Sequence, residues 1–154
     1  MNTAILPALK KHLEENLDVR LLGQSAGGDA VTPVSVFVGD LPPQSNSRKP
    51  FPCIILVPMS GHHEGGMEVA NIALICCAYN PETGDSEGAE QDLARLMSDL
   101  TRVLGAFRET YMMNRFSLVP DSRGRTLYWE KAETKPRPFI QATMLSCWQM
   151  KGWE

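Results

Sequence analysis

Residues 51–79 read FPCIILVPMSGHHEGGMEVANIALICCAY, and this stretch decides the fold. The strand predicted over Pro52 to Val57 is apolar at every position, a pattern typical of a strand covered on both faces, here by a helix and by something else. A glycine-rich turn, SGHHEGG, separates it from a longer strand, Met67 to Tyr79. Alternation places Ala70, Ile72, Leu74, Cys76 and Ala78 on one face of that strand. Val69, Asn71, Ala73, Ile75, Cys77 and Tyr79 then share the other. The small residues of the first face leave room for a closely packed helix.

The helix follows in sequence. Ser86 is the expected N-cap, Glu87 and Glu90 fall in the first turn, where the helix dipole favours negative charge, and Leu93, Leu96, Leu100, Leu104 and Phe107 recur at helical spacing. Met97 and Val103 widen the stripe. Upstream, an opening helix is expected to start at Pro7, whose missing N–H and fixed φ suit the first helical position, and Leu9, Leu13 and Leu17 give it one narrow apolar edge. Gly23 and the SAGGD segment are expected to end that helix, and VSVFV, from Val34 to Val38, reads as the first strand. Downstream, Met113 to Pro120 and Arg125 to Glu130 read as a hairpin joined by DSRGR, with Gly124 free to take positive φ. Pro138 to Met150 supplies a last strand.

The expected order is therefore α-β-β-β-α-β-β-β, a single α+β domain over residues 1–154 with two principal helices on a mixed or mainly antiparallel sheet. A chain of 154 residues, 43% hydrophobic and 21% charged, needs no staple to build a core. Its net charge of −3 argues against wholesale nucleic-acid binding. No apolar run approaches the roughly 20 residues that cross a bilayer, and no cationic leader precedes an apolar core, so synthesis in the cytoplasm is expected.

From Gly39 to Pro50 the sequence GDLPPQSNSRKP has no periodicity and reads as an extended loop or arm, expected to be either an intersubunit arm or a mobile loop. Cys53, Cys76, Cys77 and Cys147 all fall in predicted strands and are read as reduced structural thiols. Cys53, Cys76 and Cys77 together with His62 and His63 hold the elements of a zinc site, but neighbouring strand residues point to opposite faces and no CxxC knuckle is present. Ser60, Gly61 and His62 do not form a nucleophile elbow, and neither GxGxxG nor GxxxxGK[ST] occurs. No catalytic, cofactor-binding or metal-ligating residue is therefore expected, and no enzyme activity. Basic residues gather at Arg48 and Lys49, at Arg123 and Arg125, and at Lys131, Lys135 and Arg137. They read either as ordinary solvated charge or as docking points for an acidic partner or a DNA passage. Trp148 belongs in the core or an interface, and Trp153 is a candidate interface anchor.

The segment FPCIILVP and the transition CAYNPETGDSEGAEQDLARLMSDL, a strand that ends in a polar loop before a helix, resemble the centre of the tail-terminator, or tail-completion, proteins of long-tailed bacteriophages. The order and proportions of residues 4 to 150 are similar to that family throughout. The resemblance implies a structural protein without enzyme activity, assembled as a hexameric ring in the virion tail after synthesis in the bacterial cytoplasm. One ring face would meet the tail-tube protein and stop its polymerisation, the other would meet head-completion proteins, and DNA would pass through the centre. It implies no membrane partner and no cofactor. Arg48, Lys49, Arg123, Arg125 and Trp153 are the residues expected at the subunit or tail-tube interface. Another phage neck or baseplate component fits the composition equally well, while a small enzyme would need a polar pocket that the sequence does not announce.

Overall fold

The computed structural model describes residues 4–23, 30–39, 52–79, 87–131 and 139–150. Its centre is a hairpin of β4 (Cys53–Glu64) and β5 (Met67–Tyr79). Gly65 and Gly66 have φ of +56° and +80°, and with Glu64 paired to Met67 they form a two-residue turn of the mirror-image type that matches strand twist. Because two glycines complete the turn, the chain before them stays extended. β4 therefore runs through His62 and His63 to Glu64, well past the Val57 expected from sequence. A β-bulge between Pro58 and Ser60 takes up the extra residue, Met59.

β5, the middle lane of a six-stranded sheet, pairs along its length with β8 (Phe139–Met150), the next strand over. β3 (Ser35–Val38) lies on the far side of β4 and runs parallel to it. On the other side of β8 stand β6 (Phe116–Val119) and β7 (Leu127–Lys131), the first against Cys147–Met150 and the second against Ala142–Ser146. These two strands are not a hairpin, as the sequence reading had it. Both run antiparallel to β8, and therefore in one direction, end to end along a single edge. The 121–125 segment is the jog between them, and the length of β8 is what gives two short strands room in one lane.

The opening helix α1 spans Ile5–Asn16, and Ile5, Leu9 and Leu13 are fully buried. Leu17 is already extended, with ψ of 125°, so the stripe begins one turn earlier than Leu9 and ends at Leu13. Beyond it the chain forms a small two-stranded sheet of β1 (Arg20–Gly23) and β2 (Ala30–Pro33), absent from the sequence reading. Leu21 is buried and Arg20 exposed, so residues 20–23 alternate as a strand where a helix was expected to run on. The observed order is α-β-β-β-β-β-α-β-β-β, an α+β fold with two strands more than expected, β1 and β2.

Helix α2 (Glu87–Gly105), continued by a 3₁₀ turn at Ala106–Arg108, lays Leu93, Leu96, Leu100, Val103, Leu104 and Phe107 on the sheet. They meet Ala70, Ile72, Leu74, Cys76 and Ala78, the small-residue face of β5, as the alternation predicts. Trp148 is fully buried among them. Its indole N–H donates to Ser146 Oγ at 2.9 Å, and that hydroxyl donates to the Ile72 carbonyl at 2.9 Å, so the polar handle of the ring is satisfied inside the core. The two helices are tied where α1 ends. Asp99 Oδ2 accepts the backbone N–H groups of Asp18 (2.8 Å) and Val19 (3.0 Å), and Arg102 donates both to Asp99 and to the Asn16 carbonyl.

Candidate assembly surface

Strand alternation divides the sheet into a face under both helices and an opposite face over which no described element packs. On that opposite face β3, β4 and β5 contribute Phe37, Cys53, Ile55, Val57, Ile75 and Cys77, a second apolar cluster separate from the main core. The expectation that β4 is covered by a helix on one side therefore holds, and the second cover is not among the described elements. The bulge at Met59 shifts the alternation by one. Before it the odd residues of β4 face outward and are apolar. After it Ser60, His62 and Glu64 take the same face, opposite Asn71, Val69 and Met67. One added residue thus splits the face into an apolar half and a polar half.

The polar half is a hydrogen-bonding surface. Asn71 Nδ2 donates to Ser60 Oγ at 3.0 Å, and His62 Nε2 lies 3.3 Å from Glu64 Oε2. A shallow groove of about 490 Å³ runs from His62, Glu64 and Asn71 past Cys147 and Gln149 to Asp121 and Ser122. Cys147 stays a thiol there, because burial and the Asp121 charge both push its pKa up. Cys53 and Cys77 stand opposite each other in register. The Cys77 thiol and burial hold Cys53 protonated, and burial does the same for Cys76 under the helices. All four cysteines are buried and none is in a disulfide. Among the described residues no group of three or more His, Cys, Asp or Glu is placed to hold a metal ion, and no described helix is long and apolar enough to cross a membrane.

The 121–125 jog borders the same groove and is organised by one carboxylate. Asp121 Oδ1 accepts the N–H groups of Arg123 (2.8 Å) and Arg125 (2.9 Å), and Oδ2 accepts Arg125 Nε at 2.9 Å. The Arg125 N–H, the Arg123 N–H and the Arg125 guanidinium together hold the Asp121 carboxyl below the usual carboxylate range. Gly124, with φ of +79°, allows the chain to turn between them. The Arg125 guanidinium carbon also lies 3.8 Å from the centre of the Tyr128 ring, whose hydroxyl donates to Glu130 at 2.6 Å.

The two arginines expected at an interface thus have different positions. Arg125 is engaged inside the jog, whereas Arg123 is exposed and has no carboxylate within salt-bridge distance among the described residues. Arg48, Lys49 and Trp153, with Lys135, Arg137 and residues 40–50 of the expected arm, lie outside the described residues. Trp129, by contrast, is a surface residue that sequence reasoning missed. It sits 60% exposed beside an apolar groove of about 340 Å³ between α2 and β7, floored by Leu93, Met97 and Met144. The available signal was a tryptophan in a short segment that ends in Glu130 and Lys131, the composition of a sheet edge. A scan of the chain against protein-family models and a search of curated proteins both return no match.

Proposed function

We propose that this chain is a structural assembly subunit of the tail-terminator type, which caps the tail tube of a long-tailed bacteriophage as a ring of six and offers its other face to head-completion proteins. The observation that carries the reading is the sheet itself: both helices lie on one face, while β3, β4 and β5 carry a second apolar cluster on the other. A surface of this kind is an economical way to build subunits that complete their cores by meeting neighbours. The resemblance of FPCIILVP and the strand-to-helix transition adds the specific assembly. In this reading the apolar half of the second face is a packing surface, the polar half and Arg123 supply orientation, and DNA passes through the ring without sequence recognition.

The test is tail-tube polymerisation in vitro with and without the protein. Substoichiometric addition is expected to stop tube growth, leaving short tubes with a six-fold density at one end by electron microscopy. Tubes of unchanged length, with no added end density at saturating protein, would refute the terminator assignment. End density at the distal, baseplate end would place the protein elsewhere in the tail.

A further inference from the structure

Among the described residues the sheet ends in two edges without a further strand, β3 on one side and β6 with β7 on the other, and the direction of their backbone groups follows from the ladder. Ser35 N–H donates to the Pro52 carbonyl and Gly39 N–H to the Leu56 carbonyl, so the odd residues of β3 address β4. Val34, Val36 and Val38 therefore turn their N–H and C=O groups outward. The same alternation, carried across β4, β5 and β8 by their pairing, makes Tyr128 and Glu130 address β8. Leu127, Trp129 and Lys131 are left facing outward. Neither outward set has a backbone partner among the described residues.

We infer that β3 of one copy pairs antiparallel with β7 of the next, so that neighbouring subunits share one continuous sheet and the indole of Trp129 enters the groove between the next copy's α1 and β3. β3 runs parallel to β4, and successive antiparallel steps through β5 and β8 leave β7 running opposite to β3. Copies repeated side by side with the same face outward thus bring the two edges together antiparallel. The outward sets match in number and spacing when Val36 stands opposite Trp129, Val38 opposite Leu127 and Val34 opposite Lys131. In that register the alternating N–H and C=O dipoles of one edge complement those of the other. Val36 and Trp129 both point to the helix side, as the pairing of Val36 with Ile54 and of Trp129 with Met144 requires.

The receiving groove, about 480 Å³, is lined by Lys10 and Glu14 of α1 and by residues 32–37. Lys10 and Glu14 are paired at 2.8 Å, and on the other edge Lys131 is paired with Glu90, so each flank arrives as a neutral ion pair and no like charges meet. β3 itself carries no charge, and an uncharged free edge is a template for another strand. The contact covers what each edge leaves exposed, Trp129 at 60% and Val38 at 42%. An indole so exposed has about 100–150 Å² to lose. With one short strand pair the contact lies at or below the roughly 1,000 Å² that marks a stable pair of proteins, so a single contact is weak. It is heterologous, and it becomes durable where the chain of contacts closes on itself. The inference deepens the proposed function and rests on it for the cyclic arrangement.

The test uses Val38→Lys, which places a charge on the β3 edge, and Trp129→Lys, which does the same on β7; both positions are exposed, and circular dichroism checks that each variant folds. Sedimentation velocity across a concentration series is expected to show concentration-dependent oligomers for the unaltered protein and monomer for each variant alone. At the highest concentrations of the series their mixture is expected to give a weak 1:1 pair and nothing larger, because one intact β7 edge and one intact β3 edge remain. Self-association of Trp129→Lys alone would mean β3 pairs with β3, self-association of Val38→Lys alone would mean β7 pairs with β7, and a mixture that stays monomeric would remove the heterologous contact. Each of these overturns the inference. Arrest of tube growth is read separately: if the unaltered protein caps tubes and both variants cap equally well, the edge pairing falls and the terminator reading stands. If the mixture pairs but nothing caps tubes, the reverse holds.

Discussion

Replacing Asp99 with alanine is expected to loosen the junction of the two helices by about 1–3 kcal/mol. The carboxylate accepts the N–H groups of Asp18 and Val19 and is bonded by Arg102 Nε at 2.9 Å. Asp18 and Arg102 are exposed, and their groups return to water at little cost. The Val19 N–H is partly buried, and stranding it costs about 1–3 kcal/mol. Burial alone would raise the Asp99 pKa, but the Arg102 bond and the two backbone bonds outweigh it and hold it below the usual value. A carboxyl depressed in the folded state contributes stability that is present above its unfolded pKa, about 3.9, and lost as pH falls through the folded value. Urea unfolding at pH 7 should therefore show a lowered midpoint with an unchanged slope. The gap between Asp99→Ala and the unaltered protein should narrow as pH drops below about 4. Asp99→Asn, which keeps one acceptor oxygen without the charge, should fall between the two. A loss under about 0.5 kcal/mol at pH 7, or a gap undiminished in acid, would refute the reasoning.

Leu100→Asp is expected to abolish folding, since it puts an unpaired charge at a fully buried position in the middle of the α2 stripe; a soluble variant with an unaltered thermal transition would contradict that face assignment. Gly66→Val should cost about 1–2 kcal/mol and slow formation of the β4–β5 turn, because φ of +80° is strained for a branched side chain, and equilibrium unfolding measures it. Arg125→Ala should loosen the 121–125 jog, seen as faster amide exchange at residues 123 and 125, while Arg123→Glu leaves that exchange unchanged; equal protection in both variants would mean the Asp121 carboxylate organises the loop without the Arg125 side chain.

The sheet centre and the second helix were legible in the sequence because each signal there had one period and one meaning. The alternation of β5 assigned its small-residue face to the helix, and Leu93 to Phe107 could serve only as a buried stripe. The N-terminal third was harder. Leu9, Leu13 and Leu17 continue a helical spacing that the structure breaks at Leu17, where Asp99, some eighty residues away, captures the next two N–H groups. No local pattern announces a cap supplied from another element. The β6–β7 segment failed for a related reason: two short strands around a glycine look alike whether they pair with each other or share a longer partner, and only β8 decides. Of the expected interface residues, Arg123 lies exposed, Arg125 is engaged within its own loop, and the importance of Trp129 depends on its strand being an edge, a property of topology that composition alone does not carry.

The pairing of three strands with β8 has a consequence for how the molecule is made. It follows every other described strand in the chain, yet β5 bonds to it from Glu68 to Tyr79 and both β6 and β7 depend on it. The β4–β5 hairpin closes locally through its two-glycine turn, so it can form early. The ladder to β8 must close loops of many tens of residues around α2, and contacts of that separation form late. Until they do, one whole side of β5 presents unpaired N–H and C=O groups, with an apolar face beside them. A nascent or partly unfolded chain is thus a sticky half-sheet, prone to pairing with its own kind. Expression yield should accordingly depend on how quickly β8 docks, and substitutions in β8 that slow docking without altering final stability should appear first as aggregation during synthesis.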